Sequence, residues 1–267
     1  MSDVLYDAAK AFSQLLDYDY KFVLGNSKRQ KTFTIISNEK EMFTHVCGLE
    51  HLTDVPDVTG KKESEKVAIY KNILKKNIVF SDIADSAYLY HPMSCSINPQ
   101  TNSNYNIYDR IVDMSRIETI LDDSYSGAIY KWDYCKCCVR YTKIMADYVL
   151  VIPSKIIPNE KHYFFLVQIN RRDFKGKNKK DTPIKTIIIS AFSDGTDLVA
   201  GQFRLGTILE VSKIDIKNKK TLFTQTYPSY QKEKDELAKK QSESKSSNGS
   251  ISPTDEQKSL CLSAKTD

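Results

Sequence analysis

Nothing in this chain approaches the roughly 18 consecutive apolar residues that a membrane-crossing helix requires. Its first residues, MSDVLYDAAKAFSQLL, carry acids where a secretion leader would have a basic cluster and an apolar run. The expectation is a cytoplasmic protein with no membrane contact. Phosphate-binding loops are also missing. There is no G-x-G-x-x-G after a strand and no G-x-x-x-x-G-K-[ST], so nucleotide cofactors lack support, and without H-E-x-x-H so does zinc-peptidase chemistry. No internal repeat is visible. Histidine is scarce, with four in 267 residues, and two of the four fall within EMFTHVCGLEHL, residues 41 to 52.

Six cysteines are present, but Cys135, Cys137 and Cys138 crowd into CKCC and nothing indicates an oxidising compartment, so free thiols are expected. A structural zinc site needs four ligands, usually offered in spaced pairs. Here the cysteines are adjacent, and only His91 and Cys95 could supply a second pair. No metal and no cofactor is expected. A net charge of +5, spread over many Lys, Asp and Glu residues, permits contact with a polyanion without demanding it. With 40% hydrophobic and 27% charged residues the chain should bury a core.

Apolar spacing at Leu5, Ala8, Ala9, Phe12, Leu15 and Leu16 predicts an amphipathic first helix. YKFVLGN (20 to 26) and KTFTIIS (31 to 37) read as a β-hairpin around a short polar loop. From Asn38, a plausible N-cap, to about Tyr125 the pattern is helical, with EKVAIYKNILKKN and IYDRIVDMSRIETILDD the clearest segments. Between those two, residues 91 to 106 form a loop rich in Pro, Ser and Asn. ADYVLVIP, KHYFFLVQIN, IKTIIISAFS and GTILEVSKID then predict a mainly antiparallel sheet, with the third strand, apolar on both faces, lying inside it. Residues 171 to 183 make a basic hairpin tip, and FSDGTD (192 to 197) a turn with exposed carboxylates. The segregated order makes the fold class α+β. One domain is expected over residues 1–227, followed by a disordered polar tail over 228–267 with at most a helical turn or two at its start.

Metal-independent RNA cleavage fits the remaining residues. It needs a base for the 2′-hydroxyl, an acid for the departing 5′-oxygen, and cations to offset charge on the phosphorane. His45 and His51 suit the first two roles. Arg110, Arg116, Lys143 and Arg204 are candidate cations, although Arg110 and Arg116 point about 120° apart on a helix, so at most one faces a common pocket. Arg171, Arg172, Lys175 and Lys177 fall in the basic tip and are candidates for contacting nucleic acid. Other readings stay open at this level. His45 could be hydrogen-bonded in the core, His51 could cap a helix, and Cys47 beside His45 could be a nucleophile.

The block Phe43-x-His45-x-x-Gly48-Leu49, placed after a hairpin that follows an N-terminal helix, resembles the Barnase/EndoU/colicin/RelE-like (BECR) nuclease domains of phages. It is most similar to the fourth phage BECR family, whose pattern is F-x-H-L-x-G-L, with Val46 standing for the usual Leu. KVAIYKNILKKNI with SDIADSAYLY, YDRIVDMSRIETIL, and KIMADYVLVIP are further likenesses, and the resemblance spans roughly residues 5 to 215. It implies a BECR-like fold and an endoribonuclease carried by phages or mobile elements as a toxin or effector. RNA, with tRNA a candidate, would be the substrate, and an immunity or host protein a partner. His45 carries over as catalytic, framed by Phe43, Gly48 and Leu49, and with it Ser86 and Arg110. In that scheme Arg110 would clamp phosphate, with Lys143 or Arg204 as a second cation. A binding module on the same fold without catalysis is the alternative.

Overall fold

Asp3 begins the first helix, α1 (Val4–Leu15). One of its carboxylate oxygens accepts from the Tyr6 amide at 2.9 Å and the other from the Phe80 amide, also at 2.9 Å, so a single side chain caps α1 and pins it to a distant turn. The face predicted from spacing is the buried one, holding Leu5, Ala8, Ala9, Phe12 and Leu15. This computed structural model describes residues 3–26, 29–35, 39–91, 105–137, 144–169, 184–195 and 197–247.

The hairpin follows as β1 (Tyr18–Asn26) and β2 (Arg29–Ile35), paired antiparallel with Phe22 opposite Phe33. The helical block is more broken than its periodicity suggests. It consists of α2 (Met42–Val46), α3 (Glu63–Leu74), α4 (Ile107–Ser115) and α5 (Ile117–Asp122), with 3₁₀ turns between them. Glu41 stands before α2, and Asn38 lies outside the described residues. Arg116, with φ −113° and ψ 5°, separates α4 from α5, a break that no Gly or Pro announces. Most of the predicted loop after His91 lies outside the described residues, as do the basic tip and Lys143.

The strands are β3 (Ala128–Lys131), β4 (Tyr148–Pro153), β5 (Lys161–Gln168), β6 (Ile184–Asp194), β7 (Phe203–Asp215) and β8 (Thr221–Thr226). They join the hairpin in the order β1-β2-β6-β5-β4-β3-β7-β8, and β1 also pairs with β7, so seven strands curl into a closed ring. All neighbours are antiparallel except β2 and β6, which run parallel over Phe33–Ile35. The molecule is α+β. β6 is an inner strand, flanked by β2 and β5.

Both faces of β4 and β5 are covered. Leu150, Ile152, Phe164 and Leu166 enter the main core with α1 to α5. Val149, Val151, Tyr163 and Phe165 enter a second cluster with Tyr105, Trp132, Phe192 and Leu198. The FSDGTD segment departs from expectation. β6 continues to Asp194, which lies opposite Lys161 of β5 and is buried, while Asp197 alone of the pair is exposed and meets the Lys161 ammonium at 2.9 Å.

The chain divides into residues 1–227 and 228–267. Where disorder was expected, Pro228–Ser247 forms a helix, α6. Its Lys, Glu, Ala and Gln are good helix formers, and Gln231 donates to Asp235 one turn on at 2.8 Å.

Candidate active site

The EMFTHVCGLEHL stretch is a single turn of α2, a left-handed glycine and a 3₁₀ turn over Leu49–His51. Gly48, with φ 76° and ψ 13°, ends the helix in a conformation that favours glycine. Its amide donates to the His45 carbonyl at 3.0 Å, and its own carbonyl accepts from the His51 amide at 3.1 Å. A Cβ at Gly48 would stand 3.0 Å from Nη1 of Arg110, so glycine also permits a close approach. Phe43, Val46, Cys47, Leu49 and Leu52 are all buried and fix the turn in the core. Phe43 meets Phe12 edge-on at 5.4 Å and Tyr70 at 5.2 Å.

This reversal brings Glu50 back to His45. Nδ1 of His45 bonds Oε1 of Glu50, and Oε2 accepts from the Lys66 ammonium of α3 at 3.1 Å. The His45 side chain is 41% exposed, so it is neither sealed in the core nor loose in solvent. With Nδ1 donating to the carboxylate, Nε2 is the ring atom left for a substrate. The hydrogen bond with His45 is the largest influence on Glu50. Together with the nearby charges of His45 and Lys66 it outweighs burial and sets the carboxyl at about 2. His51 has an exposed edge, but desolvation of the rest of its ring, the charge of Arg110 and that of His45 together lower it from the ordinary histidine value, against Glu50. Cys47 lies fully buried behind the turn. Burial drives its thiol well above the ordinary range, which removes it as a nucleophile.

Arg110 projects from the inward face of α4 and is 5% exposed, whereas Arg116 is exposed. Nε of Arg110 donates to the Ala191 carbonyl at 3.0 Å and Nη2 to Ser190 Oγ at 2.6 Å, both on β6. The arginine is therefore built into the floor of the site, beneath Gly48, and acts on His51 through its field. The expected phosphate clamp is thus held from behind at Nε and Nη2. The cause is the helix phase, which turns position 110 toward the sheet.

Ser86 is buried and donates to Asp54 at 2.6 Å, while Asp54 also accepts from the Ala87 amide at 2.8 Å. It clasps the segment after Phe80 to the segment after His51. Arg204 is exposed on β7, opposite Tyr130 of β3, and bonds Thr207 at 2.8 Å. Strand order sets β7 across the ring from β6, the strand on which α2 packs. The cation that reaches the His45 and Glu50 pair is Lys66. Lys143, Arg171, Arg172, Lys175 and Lys177 lie outside the described residues. Cys135 is exposed and Cys137 half-buried, and among the described residues no group of three or more His, Cys, Asp or Glu comes together to hold a metal ion.

The sequence reading missed Glu50 and Lys66. Glu50 was legible in principle, since a glycine between His45 and a carboxylate five residues on suggests a chain reversal that joins them. A second polar cluster was also missed. His162 Nδ1 bonds Ser193 Oγ, Ser193 donates to Asp113 Oδ2, and Tyr105 donates to the same oxygen at 2.8 Å. Burial lowers His162, opposed by the charge of Asp113. His162, Ser193, Asp113 and Arg110 line one narrow crevice, with room for little more than a water molecule, walled by Ile117, Phe164 and Phe192 among others.

Comparison with protein families matches residues 4–249 to the model described as phage-Barnase-EndoU-ColicinE5/D-RelE like nuclease 4. No curated protein and no solved structure matches the chain.

Proposed function

The chain belongs to the phage-Barnase-EndoU-ColicinE5/D-RelE like nuclease 4 family, and from that premise we propose that it is an endoribonuclease using the His45 turn for metal-independent cleavage. The observation that carries this reading is the tie between His45 and Glu50, which fixes the ring's orientation and presents Nε2 on a partly exposed turn. His51, whose neutral form is favoured by desolvation and by the charge of Arg110, takes the proton of a 2′-hydroxyl. The 2′-oxygen attacks phosphorus, the bond to the 5′-oxygen breaks, and His45 delivers a proton from Nε2 to that oxygen. A cyclic phosphate and a 5′-hydroxyl result. Glu50 balances the proton on His45 before transfer, and Arg110 and Lys66 offset charge on the phosphorane.

The test is incubation of wild type and His45→Ala with total RNA and a panel of tRNAs in excess EDTA, with the ends mapped. Cleavage by wild type alone, leaving cyclic or 3′-phosphate ends, is the expected result. A folded wild type that binds RNA and leaves it intact overturns the catalytic reading in favour of a binding module. The role as toxin or effector predicts that expression of wild type arrests growth of a bacterial host and that His45→Ala does not.

A further inference from the structure

Beyond the His45 turn, the segment from Phe80 to His91 displays aromatic rings for which neither the core nor the reaction has a use. Tyr88 and Tyr90 are 44% and 55% exposed. Leu89 between them is fully buried, so alternate side chains turn out and the backbone is anchored. Tyr90 rests on Tyr108 of α4 with ring centroids 5.5 Å apart, and Tyr108 in turn packs edge-on against Phe80 at 5.6 Å. One ring of this stack is thereby propped from behind and open in front.

The same segment is fastened to both parts of the candidate site. Asp54, which closely follows His51, accepts from Ser86 Oγ and the Ala87 amide. On the other side the Tyr108 amide donates to the Leu89 carbonyl at 3.2 Å, joining the segment to the start of the helix that bears Arg110. Asp54, Asp82 and Asp85 lie in or against this segment, so what it offers a nucleotide is ring surface and phenol hydroxyls, not positive charge. Rings of this kind stack on any nucleobase whose face is free, and a base inside a duplex has no free face.

We propose that Tyr88 and Tyr90 form a base-stacking platform beside the His45 turn, so that the substrate is single-stranded RNA bound with an unpaired base on these rings. This rests on reading the turn as a site that acts on RNA. The role of Ser86 changes with it: the serine positions the platform through Asp54 and does not touch the reacting atoms.

Binding separates the platform from the chemistry. A labelled mixed-sequence single-stranded oligoribonucleotide and its fully paired duplex are titrated, by fluorescence anisotropy, into His45→Ala protein with Tyr90 intact, Tyr90→Ala or Tyr90→Phe. Stacking on one base predicts that Tyr90→Ala weakens single-strand binding by about tenfold to a hundredfold, that Tyr90→Phe retains it, and that the duplex binds more weakly and is indifferent to the change. Equal affinity for duplex and single strand, or no effect of removing both Tyr88 and Tyr90, overturns the platform. A wild type that binds single strands through Tyr90 but never cuts them refutes the cleavage mechanism alone. One that cuts with an unchanged KM in Tyr90→Ala refutes the platform alone.

Discussion

Two histidines, His45 and His162, each hold a hydrogen-bonded partner at Nδ1, in different settings. His45 bonds a carboxylate directly, on a turn that is partly open. His162 reaches Asp113 only through Ser193, and its network ties α4, β5 and β6 together beside a narrow crevice. Each ring has its Nδ1 engaged, so hydrogen bonding alone does not tell them apart. What separates them is the backbone beneath. His45 sits on a short helix ended by a left-handed glycine, where a side chain can meet a ligand. His162 sits in a ladder between two strands, where a polar network mainly sets how helix and sheet fit. A buried relay is thus weaker grounds for catalysis than a half-open dyad with a cation beside it.

The largest effect expected from breaking this contrast is on activity. His45→Ala should lower cleavage by about 10² to 10⁴-fold with an unchanged unfolding midpoint, whereas His162→Ala should keep the cleavage rate per folded molecule and lower the midpoint. Activity and thermal denaturation on the same preparations check both, and loss of cleavage in a folded His162→Ala protein would move the chemistry to the relay. Glu50→Gln keeps the shape of the dyad and removes its charge. A fall in kcat of up to about a hundredfold, with KM little altered, is expected.

Asp113→Asn addresses the other cluster. It gives Ser193 and Tyr105 a poorer acceptor, and a loss of about 1 to 3 kcal/mol in denaturant unfolding should follow, without a change in the pH profile of cleavage. The smallest effect is on pH dependence, and the two regions should titrate in opposite senses. Glu50, at about 2 against an ordinary 4.5, contributes stability that is complete above 4.5 and is lost as pH falls toward 2. Glu160 is raised to about 7, first by burial and then by the charges of Asp113, Asp109 and Asp194, with Arg116 opposing. The folded chain therefore holds that proton more tightly than the unfolded one, and stability should decline as pH rises from 4.5 to 7. Unfolding midpoints across this range should lose the acid-side fall in Glu50→Gln and the neutral-side decline in Glu160→Gln. A Glu160→Gln protein with the wild-type slope would show that this carboxyl is not the group responsible.

Local periodicity made α1, the hairpin, α3 and four of the six later strands readable, because each buries a regular face. β3 escaped because four residues, AIYK, carry too little pattern, and β8 because TLFTQT is largely polar. Ring closure was illegible for another reason. It depends on which distant strands meet, and nothing in the neighbourhood of Tyr18 announces Asp215. In the site, Phe43, Gly48 and Leu49 could be given their roles because they act within one turn. Arg110 was found but its burial was not foreseen, since its partners Ser190 and Ala191 belong to a strand that follows much later in the chain. The relay of Asp113, Ser193 and His162 has no motif at all, being assembled from a helix and two strands.

That closure also imposes an order of assembly. The dyad turn packs on α1 and α3, its near neighbours in the chain, and also on β6, which follows much later. The carbonyl and hydroxyl that hold Arg110 belong to β6, and the outer edge of β1 stays bare until β7 arrives. A chain emerging from a ribosome therefore carries its histidines early and acquires the cationic floor beneath them late. Any fragment that stops short of β6 has the two imidazoles without the arginine's anchorage, so the proposed centre is complete only once Ser190 and Ala191 are in place.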